Sequence, residues 1–223
     1  MTDRYAAAPA PTYRLIPSKF PPIGLFDTVA TTADLSAVME LAGWTNDRLI
    51  SQRLARLAPN EWVFGRPNAS VVMAAFLHAA PRGMRFNGPD LGAWYAAGAL
   101  ATAAAEVAHH LRREAVATGT PRLSRCYRTY TSILSGAYLD VRGEQADRAE
   151  LYDPLSYAAG QALGEQIRQA GGDGILYDSL RHVGGTNAVA YRTGKILNVA
   201  QADHYEVVVL AREPRIEVRR LTA

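Results

Sequence analysis

The sequence predicts an α+β fold of mainly antiparallel sheets with flanking helices. Three observations predict it. Residues 122–134 and 136–141 alternate apolar and polar side chains with the period of a strand, and Ser135-Gly136 between them suits a turn. Residues 99–113 are dense in alanine, with Leu100, Ala103, Val107 and Leu111 spaced along one helical face. Strands and helices then follow one another without the strict β-α-β alternation of a doubly wound sheet. The chain has no Gly-x-Gly-x-x-Gly fingerprint and no Walker-type loop, so neither standard nucleotide-binding fold is signalled.

In order along the chain, residues 1–12 are rich in alanine and proline and read as a flexible N-terminal arm, disordered or extended. Residues 13–223 read as one domain, long enough for one substantial core and free of any visible linker or repeat. Residues 13–16 are a strand that Pro17 ends, and 20–23 an extended turn. Thr32 or Asp34 caps a helix over 35–42 that Gly43 stops, and Thr45 caps another over 46–57. Residues 67–69 are loop, and 71–76 a buried segment that periodicity assigns to neither type. Residues 84–87 lead into a turn at Gly88-Pro89-Asp90, and 93–97 are a short buried strand. Asp153 followed by Pro154 marks a helix start, a capping carboxylate and then proline in the first turn, with Gly171-Gly172 as the stop. Residues 174–178, 188–192, 196–198 and 205–210 follow as strands.

Composition narrows the function classes. The chain has 24 Lys and Arg against 21 Asp and Glu, a formal net charge of +3, and Lys19 and Lys195 are its only lysines. The one basic run, 212–220, is interrupted by Glu213 and Glu217, so direct nucleic-acid binding has weak support. No apolar run approaches the ~20 residues that span a bilayer. The start lacks the charged and apolar regions of a secretory signal. Cys126 is the only cysteine; it excludes intramolecular disulfides, fits a reducing cytoplasm, and reads as a packed core thiol on a strand. Among the five histidines only Glu106-x-x-His109 has a ligand spacing, half of a dimetal site without its second copy, so no metal is expected.

The candidate site residues lie far apart. Glu106, His109, His110 and Arg113 share a helix face opposite the apolar one. Spacing alone favours an ordinary pairing of Glu106 with His110 or Arg113 in solvent; a carboxylate at a cleft floor is the alternative. Arg85, ahead of Phe86-Asn87 at a turn, offers a planar fork for phosphate oxygens, although most such arginines are surface residues. Tyr95 in its apolar strand is either core or a stacking face for a flat heterocycle. Ser179 and Arg181 follow a buried strand and precede Gly184-Gly185, where a hydroxyl suits sugar or amide binding, or is a plain turn serine. Ser179 with His182 is too generic for a hydrolase triad, and no Gly-x-Ser-x-Gly elbow is present.

Taken in order, Tyr13-Arg14, Arg85-Phe86-Asn87, Trp94-Tyr95-Ala96, residues 103–106 and Gly174-Ile-Leu-Tyr-Asp-Ser179 with Gly184-Gly185-Thr186-Asn187 resemble the RES-domain family over roughly residues 13–204. Residues 17–26 with Ala105-Glu106-Val107-Ala108-His109-His110 are similar to the branch that includes the ParT-type toxins. The resemblance implies an ADP-ribosyltransferase-like core and a toxin of a bacterial toxin–antitoxin pair that consumes NAD⁺. The bond broken would join nicotinamide to ribose, by hydrolysis or phosphorolysis, or with transfer of ADP-ribose to a protein acceptor. It also implies a cognate Xre-type antitoxin as partner. By the same resemblance Arg14 and Arg85 hold the pyrophosphate or nearby ribose, Tyr95 stacks on the nicotinamide end, and Glu106 stabilises positive charge on the ribose. Ser179 matches the serine of the family name, with Ser156 in Leu155-Ser156-Tyr157 as the alternative. Asn87, Arg181 and Asn187 complete the expected binding residues. The segment before Arg85 is Arg82-Gly83-Met84, where the family often has Gly-Gly. Two other classes compete: an arginine-rich nucleic-acid-binding module, and a noncatalytic partner-binding domain.

Overall fold

The computed structural model describes residues 3–20, 24, 26–29, 31, 34 and 56–222. The helices expected over 35–42 and 46–57 fall almost wholly outside the described residues. Among the described residues nine strands form one sheet: β1 (Tyr5–Ala6), β2 (Thr12–Pro17), β3 (Trp94–Ala97), β4 (Arg122–Leu134), β5 (Tyr138–Asp140), β6 (Gly174–Asp178), β7 (Thr186–Ala190), β8 (Ile196–Leu210) and β9 (Glu213–Leu221). Their spatial order is β1-β5-β6-β7-β3-β2-β4-β8-β9. All neighbours run antiparallel except β5 and β6. The expected α+β arrangement is therefore present, as one continuous sheet.

Three α-helices lie among the described residues: α1 (Ala69–Leu77), α2 (Leu100–Ala117) and α3 (Ala158–Gln169). None is long and apolar enough to cross a membrane. Side-chain alternation on the central strands decides the layers. Trp94, Ala96, Leu176, Ala188 and Ala190 pack with Phe76 and the rest of α1 in one core. Ile175, Tyr177 and Val189 point the other way, into a second core with Phe86, Tyr191 and the α3 side chains Leu163 and Ile167. On that face too, Ala97, Leu15, Tyr127 and Val207 pack against Ala103, Ala108 and Leu111 of α2. The sheet is thus sandwiched between α1 and the pair α2 and α3.

Several expectations change. Of the two forms expected for the N-terminal arm, residues 3–12 take the extended one. β1 pairs with β5, the Asp140 N–H donates to the Arg4 carbonyl at 2.8 Å, and the Arg4 guanidinium lies 3.3 Å from the Asp140 carboxylate. The ambiguous segment 71–76 is helical, inside α1. α3 begins at Ala158, not at Pro154: Asp153 Oδ1 accepts from the Leu155 N–H at 2.7 Å and closes a turn instead of capping a helix. The two strand pieces at 196–198 and 205–210 are one strand, β8, whose exposed middle had no buried pattern to betray it. The basic run 212–220 is mostly β9, and three of its four arginines are paired: Arg215 with Glu217, Arg219 with Glu206 and Arg220 with Asp203. Cys126 is exposed, not packed, because its side of β4 faces away from α2.

α3 is pressed against the loop that carries Arg85. A Cβ on Gly160 would overlap the Arg85 carbonyl, and one on Gly164 would overlap the Phe86 carbonyl and the Tyr191 hydroxyl. Only glycine allows that approach, and the approach sets where Arg85 stands.

Candidate active site

α2 leaves the sheet after β3 and packs over β2, β3, β4 and β8, which carries Glu106 to the point where β6 finishes and β7 begins. Ser179 follows β6. Its Oγ accepts the backbone N–H groups of Arg181 and His182 at 3.1 and 3.0 Å. With both lone pairs engaged, its own proton is aimed at Glu106 Oε1, 2.7 Å away. Asn187 of β7, opposite Ala97 on β3, donates its amide to the same oxygen at 2.8 Å. Oε2 of Glu106 takes no hydrogen bond within the described residues. The solvated pairing that spacing favoured is overturned: neither His110 nor Arg113 forms an ion pair with Glu106 among those residues. The serine near the carboxylate is Ser179. Ser156 is exposed, and its Oγ accepts from the Ala158 N–H at 3.3 Å, at the start of α3 and outside the cavity lining.

Around this carboxylate lies a cavity of about 380 Å³, lined among others by Arg14, Arg85, Tyr95, Glu106, Arg181 and Asn187. That volume suits a small-molecule ligand. Arg14 reaches it from β2. One Nη donates to the Tyr95 carbonyl at 2.9 Å, the guanidinium lies 4.8 Å from the centre of the Trp94 ring, and Nε is buried without a partner. Burial lowers this guanidinium well below its usual range, to about 10. Arg85 donates to the carbonyls of Leu151 and Asp153 at 2.8 and 3.1 Å and stacks 4.8 Å from the centre of the Tyr157 ring. Neither arginine, nor Arg181, has a carboxylate partner among the described residues.

The Tyr95 hydroxyl accepts from the Phe86 N–H at 3.0 Å and donates to Asn87 Oδ1 at 2.8 Å. Burial, the dominant cause, raises the phenol well above its usual range. Asn87 is wholly buried, and its amide donates to the carbonyls of Gly88 and Leu91 at 2.7 and 3.1 Å. Asn87 therefore braces the turn and Tyr95, with its polar atoms already spent on the protein. The Arg181 loop is clasped to α2 by Thr102 Oγ1 and His182 Nδ1 at 2.8 Å. This occupies His182 away from Ser179 and removes the hydrolase pair. His109 and His110 line the same wall, their rings 5.5 Å apart. His109 is depressed to about 4, by burial first and then by Arg181, His110, Arg113 and Arg112. Burial also lowers His110, against the opposing pull of Glu106.

Glu106, Asn187, Arg14, Arg85, Tyr95, Asn87 and Arg181 thus line one space, and Ser179 stands behind it, outside the lining, holding Glu106. Ser156 does not join them. Sequence reasoning missed Tyr157, whose only signal was its place beside Ser156, and the Thr102–His182 clasp, which no local pattern announces.

Glu106 is a fixed carboxylate among guanidinium groups that have no carboxylate partner in the described residues: the arrangement can hold an anion and steady a developing positive charge. Comparison with known proteins bears on whose arrangement this is. The RES domain profile matches residues 53–209. An uncharacterized protein, y4oC, of Sinorhizobium fredii (strain NBRC 101917 / NGR234) is 26% identical over 202 residues, which span 88% of this chain and 81% of the relative. A chain in the crystal structure of the M. tuberculosis MbcT–MbcA toxin–antitoxin complex is 20% identical, with a TM-score of 0.40, over 55% of this chain and 73% of that one. The profile match covers well over half of the residues, including every member of the cluster from Arg85 to Asn187, and the chain belongs to the RES-domain family.

Proposed function

We propose that the protein is an NAD⁺-consuming toxin of a bacterial toxin–antitoxin pair, with an ADP-ribosyltransferase-like core. The observation that carries this reading is the state of Glu106: one oxygen is fixed by Ser179 and Asn187, and the other is unpartnered beside a cavity lined by Arg14, Arg85 and Arg181. Cleavage of the nicotinamide–ribose bond builds oxocarbenium character at the ribose carbon. A carboxylate whose charge is concentrated on one oxygen gains most at that stage, because its attraction grows as the positive charge grows. Nicotinamide leaves from a cationic ring and needs no strong general acid, which fits a site whose other lining carboxylate, Asp178, is engaged by the Gly143 N–H at 2.7 Å. The arginines act by position: the unpaired guanidinium groups hold the pyrophosphate so that the ribose carbon rests over Glu106. The phenol of Tyr95, held neutral by burial, offers its ring face to nicotinamide.

The acceptor is water, phosphate or a protein side chain, and the proposed partner is a cognate Xre-type antitoxin in the cytoplasm. The nucleic-acid alternative loses ground because the β9 arginines are matched by carboxylates. The test is to incubate the purified protein with NAD⁺ and measure free nicotinamide, using Glu106→Gln as the comparison. The wild type releases nicotinamide; Glu106→Gln keeps the same circular dichroism and melting profile and loses at least about a hundred-fold in kcat. Equal turnover by the variant would remove Glu106 from the chemistry. NAD⁺ labelled in the adenosine moiety then separates breakdown from transfer, since transfer alone leaves label on protein.

A further inference from the structure

The segment from Leu151 to Tyr157 does one thing that no local pattern explains: it surrounds one guanidinium. Its Leu151 and Asp153 carbonyls both accept from the same Nη of Arg85, at 2.8 and 3.1 Å. Its Tyr157 ring lies 4.8 Å from the guanidinium carbon. This cradle accounts for the broken helix start, because residues 153–157 turn around Arg85 instead of joining α3. A guanidinium held at one Nη and on one face keeps a single orientation, with its other Nη and Nε left unbonded. Tyr157 and Arg85 both line the cavity. No carboxylate of the described residues competes for the exposed edge.

We propose that Tyr157 is a positioning residue that acts through Arg85, fixing the plane of the guanidinium so that its free edge grips the pyrophosphate of the dinucleotide. The proposal rests on the NAD⁺ reading for the identity of the ligand, but its geometry requires only an anion with phosphate oxygens. The ring contributes a face and no hydrogen bond to Arg85, so phenylalanine substitutes for it and a flexible aliphatic side chain does not.

The test pairs a binding readout with a kinetic one. Inorganic pyrophosphate binding by calorimetry and steady-state kinetics with NAD⁺ are measured for the wild type, Tyr157→Phe, Tyr157→Leu, Arg85→Ala and the double variant Arg85→Ala with Tyr157→Leu. Melting curves accompany each. Tyr157→Phe stays within about two-fold of wild type in both readouts, while Tyr157→Leu weakens pyrophosphate binding and raises KM by roughly five- to ten-fold with kcat nearly unchanged. In the Arg85→Ala background the leucine substitution adds nothing further. Wild-type affinity in Tyr157→Leu, damage in Tyr157→Phe equal to that in Tyr157→Leu, or a leucine effect that persists without Arg85 each overturns the proposal. If the wild type binds pyrophosphate with this pattern of variants but releases no nicotinamide, the NAD⁺ reading fails and the positioning role stands.

Discussion

A carboxylate that receives two hydrogen bonds on one oxygen is not symmetric. Ser179 and Asn187 both reach Oε1 of Glu106, which pins the rotamer and leaves the other oxygen without a hydrogen bond among the described residues. Each donor makes a charge-assisted bond of the kind worth ~1.5–3 kcal/mol when one partner is ionised. Ser179→Ala and Asn187→Ala should each lower kcat for NAD⁺ by about ten- to a hundred-fold with KM little changed. The double variant should lose less than the product of the two, because the rotamer is already free once one bond is gone. Single-turnover measurements of nicotinamide release check this, and strictly multiplicative losses would show that the two residues act separately. At this scale the sequence was half legible. Arg14, Arg85, Tyr95, Glu106 and Ser179 could be singled out by type and order. The partner of Glu106 could not, because the nearest competitors, His110 and Arg113, sit on its own helix face while its true donors lie 73 and 81 positions away. Local spacing always argues for the local pair.

α2 sets two histidines beside cationic neighbours. His109 and His110 stand near Arg112 and Arg113, and Arg181 approaches from the facing loop. The field and the partial burial hold His109 neutral in the folded chain down to about 4, against 6.5 for a free side chain. The unfolded chain therefore binds more protons between those two values, and folding stability falls as pH drops through that window. His110 is shifted in the same direction and adds to the effect. Urea titrations between pH 7 and 4.5 should show a declining midpoint, with a shallower decline in His109→Gln; identical slopes would show that His109 does not contribute. Elements with a buried face were legible: β4 and β6 match their expected bounds, and β3 and α2 lie within one to four residues of theirs. Elements without one were not. β9 has no wholly buried residue and the middle of β8 is exposed, so neither shows the alternation that marks a half-buried strand. α3 was misplaced because Asp153-Pro154 is a good helix start by composition, and the chain uses it for the Arg85 cradle instead.

The whole molecule is a sheet with unequal ends. One edge is the two-residue β1, held by Arg4 and Asp140; the other is the long β8–β9 hairpin. Arg112 of α2 secures that hairpin, donating to the carbonyls of Leu210, Pro214 and Arg215 at 3.1, 2.9 and 2.9 Å. One side chain thereby ties the outermost turn of the sheet to the helix that carries Glu106. Arg112→Ala should leave the global fold in place and cost about 1 kcal/mol, with amide exchange accelerated across residues 208–218 in preference to the central strands. Uniform acceleration across all strands would mean instead that the hairpin and the core open together.

Because the anchors of Glu106 come from β7 and from the loop after β6, a ribosome must finish residue 187 before the carboxylate can be seated. A nascent chain that already displays α2 in full, or a product of premature termination anywhere between the two, lacks the parts to hold that group still. Glu106 is thus held by partners that are translated 73 and 81 positions after it, and its setting is completed only late in synthesis.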